Sequence, residues 1–209
     1  MEKWISTKMK NLNKKISICI FIAIAFLSSC TNTPSEGKKN TSAASSVELS
    51  TDEQKTYQDA LEALKADNAD KAISSLVKIA NNHPNHIGAW INLAHAYLTK
   101  TKINEAESAA AHAKSINPKV AEIYNLQGLI AVQKGEYANA EKSYLQSIQL
   151  KANYPASHYN LGLLYDMYYQ DIDHAVIEYE RYLELSDGTD KKTVGWVTEL
   201  KQKIKRRNK

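Results

Sequence analysis

Apolar and small residues recur at helical spacing through the central part of the chain. In the stretch that begins at Ile87, four such residues are separated by three, one and three positions: Trp90, Leu93, Ala94 and Tyr97. This spacing places them on one face of a helix. A second face consists only of methyl side chains, at Ala106, Ala110 and Ala113. The Asn117-Pro118 pair ends this second helix, because a residue before proline is pushed out of the α region. The stretch therefore predicts a helical hairpin.

The same pattern returns every 34 residues. One register carries a small residue each time, at Ala60, Ala94, Gly128 and Gly162. A second register carries Ala72, Ala106 and Ala140, but its fourth member comes one residue late, at Ala175. We therefore expect one additional residue in the turn around Asp171. A fixed period of this length predicts hairpins that stack on one another.

This period, with Trp-x2-Leu-small-x2-Tyr followed by Ala-x3 and Pro, resembles the tetratricopeptide repeat (TPR) family. The resemblance spans residues 51–188 and gives four repeats, at residues 53–86, 87–120, 121–154 and 155–188. The sequence departs from the family pattern at Thr56 and Asp59, and Ala152 stands where a terminal proline is usual. The resemblance implies an all-α fold, a right-handed superhelical solenoid of about four TPR hairpins plus a C-terminal capping helix.

The last part of the chain is predicted to close this stack, which needs an end helix with a polar outer side. Residues 190–207 carry one apolar stripe among lysines and arginines, formed by Val194, Trp196, Val197, Leu200 and Ile204. Residues 189–209 are therefore predicted to form a capping helix and a basic tail. The tail is either a solvated helix end or a binding site for an acidic partner or lipid head groups.

Five lysines precede a short apolar run at the N-terminus. The run, Ile16 to Leu27, has 12 residues. As a helix it would be about 18 Å long, too short for a bilayer core of about 30 Å. A positive flank followed by a short apolar core is typical of a secretory signal peptide.

The run leads into Leu27-Ser28-Ser29-Cys30, which resembles the lipobox of bacterial lipoproteins. The resemblance implies a signal peptide at residues 1–29 and cleavage before Cys30. It also implies that the Cys30 thiolate accepts a lipid and its amine a fatty acid such as palmitate. Thr31 is not the aspartate that marks inner-membrane retention, which favours the periplasmic face of the outer membrane. An ordinary cleaved signal and a short membrane anchor are the alternatives.

Residues 30–50 are predicted to be the lipidated cysteine and a disordered tether. Thr, Asn, Ser, Ala and Lys dominate residues 31–50 without periodicity, and such a composition cannot bury a core. As a random coil this segment would reach roughly 25 Å. Ser50 and Glu53 then predict a capping box that begins the first helix.

The charge distribution argues against nucleic-acid binding. The net charge is +4, but residues 1–29 hold five Lys and one Glu, which leaves 22 basic and 22 acidic side chains after them. Six of those basic side chains lie in residues 201–209, so the repeats lack the basic stripe that phosphates require. Because no cysteine follows Cys30, no disulfide, zinc site or thiol chemistry is expected in the mature domain.

In TPR proteins the first helices of the hairpins line a concave groove. Transferred to this chain, the resemblance implies a partner surface of ten residues: Tyr57, Leu61, Ile91, Asn92, His95, Asn125, Leu129, Tyr159, Asn160 and Leu163. We expect the apolar side chains to contact a peptide or helix and the asparagines to hydrogen-bond its backbone. The competing interpretation is that the superhelix or the N-terminal segment buries several of them.

Other binding and catalytic signals are weaker. The basic carboxylate clamp of chaperone-binding TPRs is not expected, because only Asn92 matches it and Glu122 would repel a carboxylate. Tyr168 and Tyr169, at the lengthened turn, are candidate interface residues, since tyrosines are common at binding surfaces. His83 and His86 have no nearby third ligand for a metal. With no catalytic motif, no enzyme activity, cofactor or metal is predicted.

The sequence thus predicts a lipid-anchored scaffold or adaptor that binds envelope proteins or their peptide segments. The combination of signal peptide, lipobox and tandem TPRs resembles pilotin lipoproteins, which help secretin rings of type IV pili to assemble. The region Tyr179 to Ile204 also resembles small TPR proteins that accompany TonB-type energy-transduction systems. The alternative is a docking factor for a peptidoglycan hydrolase or synthase. The sequence leaves the partner and the oligomeric state undetermined.

Overall fold

The computed structural model of the chain describes residues 48–209, which contain nine α-helices and one π-helical turn. The helices are α1 Thr51–Lys65, α2 Ala69–Asn82, α3 Ile87–Thr99, α4 Ile103–Ile116, α5 Ala121–Lys134, α6 Tyr137–Leu150, α7 Pro155–Leu164, α8 Ile172–Leu185 and α9 Lys191–Arg207, with the π-helical turn at Tyr165–Tyr169. Residues 48–209 include no β-strand, and the predicted all-α helical repeat fold is confirmed.

The chain divides into two compact units, whose described parts are residues 48–102 and residues 103–209. The first unit holds α1 to α3 and the second holds α4 to α9. The predicted signal peptide, Cys30 and most of the predicted tether lie outside the described residues. None of the helices in residues 48–209 combines the length and the apolar character needed to cross a bilayer.

The capping box predicted at the start of α1 is present. Ser50 Oγ accepts a hydrogen bond from the backbone N–H of Glu53, and the Glu53 carboxylate accepts one from the backbone N–H of Ser50. Hydrogen bonds from His83 and Ser50 lower the pKa of Glu53 to about 2. Leu49, inside the range predicted as tether, packs with Tyr57 against the buried residues Ile79, Ala80 and Ala89.

Each turn between a first and a second helix uses one left-handed residue. These residues are Asp67, Thr101, Gly135 and Gln170, with φ of 58°, 57°, 76° and 56°. In the first three turns the next backbone N–H donates to the carbonyl five residues earlier, as Glu136 does to Ala131. In the fourth, Asp171 donates to Tyr165, six residues earlier. The additional residue expected around Asp171 is therefore present, and the helix accommodates it as the π-helical turn.

The fourth residue of α3, α5 and α7 ties each helix to the segment before it. Trp90 Nε1 donates to the Pro84 carbonyl (2.8 Å), and Tyr124 Oη donates to the Pro118 carbonyl (2.9 Å). In α7 the bond is from His158 Nε2 to the Ala152 carbonyl (3.0 Å). All three bonds span six residues, so they fix the entry of the chain into each first helix at the same point of the period.

The small residues of the 34-residue register lie in the core. Ala60 and Ala94 are fully buried. A Cβ atom on Gly162 would lie 2.7 Å from Tyr179 Cδ1, which is closer than two carbon atoms can approach. At this position, glycine therefore permits α7 and α8 to pack closely around the Tyr179 ring.

Candidate functional site

The predicted partner surface in the first unit is built around Tyr57. Its hydroxyl accepts a hydrogen bond from Asn92 Nδ2 (2.8 Å), and its ring contacts the edge of His86 at a centroid distance of 4.9 Å. Burial raises the pKa of Tyr57 to about 12, so the hydroxyl stays protonated. A Cβ on Gly88 would lie 2.7 Å from Tyr57 Oη. Glycine at position 88 therefore leaves the space that this hydroxyl occupies.

His95 lies one turn beyond Asn92 on α3 and is buried, with 3% of its surface exposed. Burial lowers the pKa of His95 to about 4, because the charged imidazolium would lose its hydration. Its Nδ1 atom has no hydrogen-bond partner among the described residues. Buried polar atoms without a partner are uncommon in folded proteins.

The second unit holds a connected set of polar side chains at the matching positions. Asn160 Nδ2 donates to Asn125 Oδ1 (2.9 Å), at the same sequence separation of 35 residues as the Asn92–Tyr57 bond. Asn160 Oδ1 is buried and has no hydrogen-bond partner among the described residues. We expected these asparagines to bond a partner's backbone, whereas their side chains bond within the chain.

Two serines that the sequence analysis did not single out complete this network. Ser157 Oγ donates to Ser147 Oγ (2.7 Å), and Ser147 Oγ donates to the Ala121 carbonyl (2.7 Å). Both serines are fully buried. Isolated serines in helices carry no sequence signal for such a chain of bonds, because only the packing of α5, α6 and α7 brings them together.

Aromatic rings surround Tyr159 in the same unit. Its ring lies edge-on to Tyr182 at a centroid distance of 4.9 Å and 6.3 Å from the ring of Trp196 on α9. Tyr179 and Tyr182 are buried. Tyr159 therefore packs against α8 and α9 in the described structure.

The ten predicted surface residues differ in accessibility. Tyr57, Leu61 and Leu163 are half-buried. The other seven are buried: Ile91, Asn92, His95, Asn125, Leu129, Tyr159 and Asn160. The accessible members are therefore Tyr57 and Leu61 in the first unit and, separately, Leu163 in the second.

The tyrosines of the π-helical turn form a second group. Tyr168 stacks on Tyr137 of α6 at a centroid distance of 4.2 Å, whereas Tyr169 is 40% exposed. Tyr165 is half-buried, and its hydroxyl donates to Glu141 (2.8 Å). Of the two candidate interface tyrosines, Tyr169 is thus the more accessible.

His83 and His86 both have contacts within the chain. His83 Nε2 lies 2.8 Å from Glu53 Oε1, and His86 Nδ1 accepts from the Ala89 N–H at the start of α3. Within residues 48–209 no cluster of three or more His, Cys, Asp or Glu side chains is arranged to hold a metal ion.

Comparison with known proteins agrees with the repeat pattern. A family model described as "Tetratricopeptide repeat" matches residues 53–130, and one described as "TPR repeat" matches residues 128–167. Superkiller complex protein 3 of Homo sapiens is 32% identical over 101 residues, which is 47% of this chain and 6% of that protein. The chain therefore spans only a small fraction of this curated relative.

Two solved structures share the fold. A thermophilic TPR protein of Thermus thermophilus has a TM-score of 0.64 and 23% identity, over 72% of this chain and 81% of that chain. The pilF protein of Pseudomonas aeruginosa has a TM-score of 0.64 and 20% identity, over 74% of this chain and 69% of that chain. At these identities the likeness concerns the fold alone.

Proposed function

Because this chain belongs to the tetratricopeptide repeat family, whose members mediate protein–protein interactions, we propose that it is a lipid-anchored, non-enzymatic adaptor of the bacterial envelope. The observation that carries the proposal is the repeat pattern itself, matched from residue 53 to residue 167. The fold alone specifies a scaffold and leaves its partner open.

The anchor in this proposal is Cys30. The signal-like segment before it and the lipobox-like Leu27-Ser28-Ser29-Cys30 support acylation and attachment to the periplasmic face of the outer membrane. Several acyl chains give stable anchoring, whereas a single chain is marginal. Metabolic labelling with a fatty acid should label the full chain and leave the Cys30→Ala variant unlabelled and released from the membrane fraction. Equal labelling of both would contradict this assignment.

The binding surface in this proposal consists of the half-buried side chains among the predicted surface residues of each unit. Leu61 and Tyr57 supply apolar contact in the first unit, and Leu163 does so in the second. The buried asparagines bond within the chain and His95 is buried, so contact with a peptide in this proposal comes from the apolar side chains. An extended or helical peptide segment of an envelope protein is the ligand class that fits this combination.

Substitution of the accessible side chains tests the surface. In cells, Leu61→Lys and Leu163→Lys should each reduce crosslinked partner by about tenfold or more, because a charge would be buried in an apolar contact. Leu145→Lys is the matched control, since Leu145 is 47% exposed on α6 and outside the proposed surface. Each variant must show the parent's thermal unfolding. Equal partner recovery from all variants would contradict the proposed surface.

The candidate complexes are a secretin or pilus assembly and a TonB-type system, and the alternative partner is a peptidoglycan hydrolase or synthase. The pilus candidate rests on the resemblance of the signal peptide, lipobox and tandem repeats to pilotin lipoproteins. The TonB candidate rests on the resemblance of the region Tyr179 to Ile204. Deletion of the gene distinguishes them by its phenotype. Loss of piliation, loss of iron-complex uptake and altered cell shape point to the pilus, TonB and cell-wall functions respectively.

A further inference from the structure

Helix α9 continues the register of the first helices but has no second helix after it in the described chain. Counted from the first helical residue, positions 4, 7 and 8 of α7 are His158, Leu161 and Gly162, and those of α9 are Val194, Val197 and Thr198. In α7 this face is covered by α8. His158 Nδ1 lies 2.7 Å from Glu178 Oε2, and the Tyr179 ring lies directly over Gly162.

The corresponding space beside α9 is open. A groove of about 590 Å³ runs between α8 and α9, and Leu183, Val194 and Val197 provide its apolar part. Val194 is 42% exposed, although the fourth residue of each earlier first helix from α3 onwards bonds to the preceding segment. Thr198, at the position of Gly162, is exposed. Within residues 48–209, no helix covers this groove, although its register matches the face that α8 covers on α7.

Charge separates the two sides of this groove. The α8 side carries Glu180, Glu184 and Asp187, and Lys201 of α9 bonds Glu180 at 2.5 Å. Helix α9 is itself strongly basic, with seven Lys or Arg side chains and one Glu in 17 residues. Its Lys191 and Lys205 form no ion pair within the described residues. Arg181 also bonds Glu184 at 2.9 Å, so the α8 side carries three carboxylates against two paired cations, and its remaining charge is opposite to that of α9.

Gly195 is a further feature of α9 that the single chain does not explain. It lies inside the helix beside Val194, and a Cβ atom added there would meet nothing within 4 Å. A glycine inside a helix is less stable than alanine by roughly 0.5–1 kcal/mol. A helix packed against the exposed side of α9 would use the space that glycine leaves.

We propose that the groove between α8 and α9 takes α9 of a second copy of this chain. The two α9 helices cross antiparallel near Thr198, and each occupies the other copy's groove. The basic side chains of each α9 then face the acidic side of the other copy's α8. Because the same patch is used twice, the contact is isologous and closes as a two-fold dimer.

Cysteine crosslinking of the full chain in its membrane tests this proposal. Thr198→Cys lies near the two-fold axis, so oxidation should convert most of the chain to a species of twice the mass on a non-reducing gel. Ser115→Cys, exposed on α4, is the matched control and should remain monomeric. The parent chain, with only Cys19 and Cys30, sets the background.

Charge reversal provides a second test of the proposed dimer. Adding Glu184→Lys to Thr198→Cys should reduce the dimer at least fivefold, and raised salt should reduce it in the Thr198→Cys chain, because screening weakens the attraction. Absence of a Thr198→Cys dimer, or equal dimer from Ser115→Cys, overturns the proposal. A Thr198→Cys adduct of another mass also overturns it, because a different protein would then occupy the groove.

Discussion

Gly128 lies directly against the ring of Tyr144, so that a Cβ atom at Gly128 would be 2.3 Å from Tyr144 Cε1. The two residues are 16 positions apart, as are Ala60 and Leu76 in the first repeat. In this repeat and in the fourth, where a Cβ atom on Gly162 would lie 2.7 Å from Tyr179 Cδ1, glycine on the first helix leaves the space that a tyrosine ring of the second helix occupies.

The first prediction concerns this pair. Gly128→Ala should lower the free energy of unfolding by about 2 kcal/mol, because the methyl group forces the buried Tyr144 ring to move, and overpacking typically destabilises by about 1–3 kcal/mol. Chemical denaturation of the full chain measures the change. Alanine forms helices better than glycine. If Gly128→Ala stabilises the protein, the contact with the Tyr144 ring does not exclude a methyl group at position 128.

A second substitution provides its control. Tyr144→Leu in the Gly128→Ala background reproduces the Ala60–Leu76 pair of the first repeat. The double variant should be more stable than additive single effects predict, by about 1 kcal/mol or more, because the two residues are in contact. Additive effects would mean that the contact does not couple them.

The second prediction concerns the left-handed turn residues. Gly135→Ala should destabilise the protein by about 1 kcal/mol, since φ at this position is 76° and a Cβ in that region costs roughly 1–2 kcal/mol. Thr101→Gly should instead stabilise the protein, because Thr101 carries a branched side chain at φ 57°, where glycine is not strained. Thermal unfolding of both variants checks the pair, and shifts of the same sign would contradict it.

The third prediction is a pH dependence from His95. Its pKa is about 4 in the folded chain, below the ordinary value of 6.5, so between these values the unfolded chain binds the proton and the folded chain does not. Stability contributed by neutral His95 is complete above pH 6.5 and falls as the pH is lowered towards 4, by about 3 kcal/mol in total.

Replacement of this histidine isolates the effect. His95→Leu should flatten the unfolding free energy between pH 6.5 and 4 relative to the parent, because the group whose pKa falls from 6.5 to about 4 is gone. Carboxylates such as Glu53, with a pKa of about 2, act at lower pH. Parallel pH profiles for the two proteins would show that His95 is solvated.

The fourth prediction concerns the bonds that tie successive hairpins. Tyr124→Phe removes the hydrogen bond from Tyr124 Oη to the Pro118 carbonyl and keeps the ring, over which Lys114 Nζ lies at 4.7 Å. The expected loss is about 0.5–1.5 kcal/mol. Tyr137→Phe is the control, because the contact of Tyr137 is a ring stack with Tyr168, which phenylalanine keeps. Equal effects in urea denaturation would contradict a role for the Tyr124 bond.

The sequence predicted the fold well because the fold is local and periodic. The 34-residue register located the small helix-contact residues and the inserted residue before Ala175, and local spacing located the capping box at Ser50. The sequence did not predict that the insertion would be absorbed as a π-helical turn before Gln170. Both a longer loop and a wider helical turn fit one additional residue.

The candidate site was less predictable. Asn92, Asn125 and Asn160 were expected to face a partner, yet their bonds join them to Tyr57 and to one another. A buried amide must find a donor or acceptor, and which one it finds depends on the distance between helices from successive repeats. The spacing of residues along one helix does not determine the distance between helices of successive repeats.

The most direct test of the central claim, a lipid-anchored adaptor, is crosslinking in cells followed by mass spectrometry of the full chain and its Cys30→Ala variant. We predict that subunits of one envelope complex, a secretin, a TonB-type or a murein-enzyme complex, are enriched with the parent and lost with Cys30→Ala. If the parent is abundant and membrane-anchored but no protein is enriched, the adaptor function is contradicted.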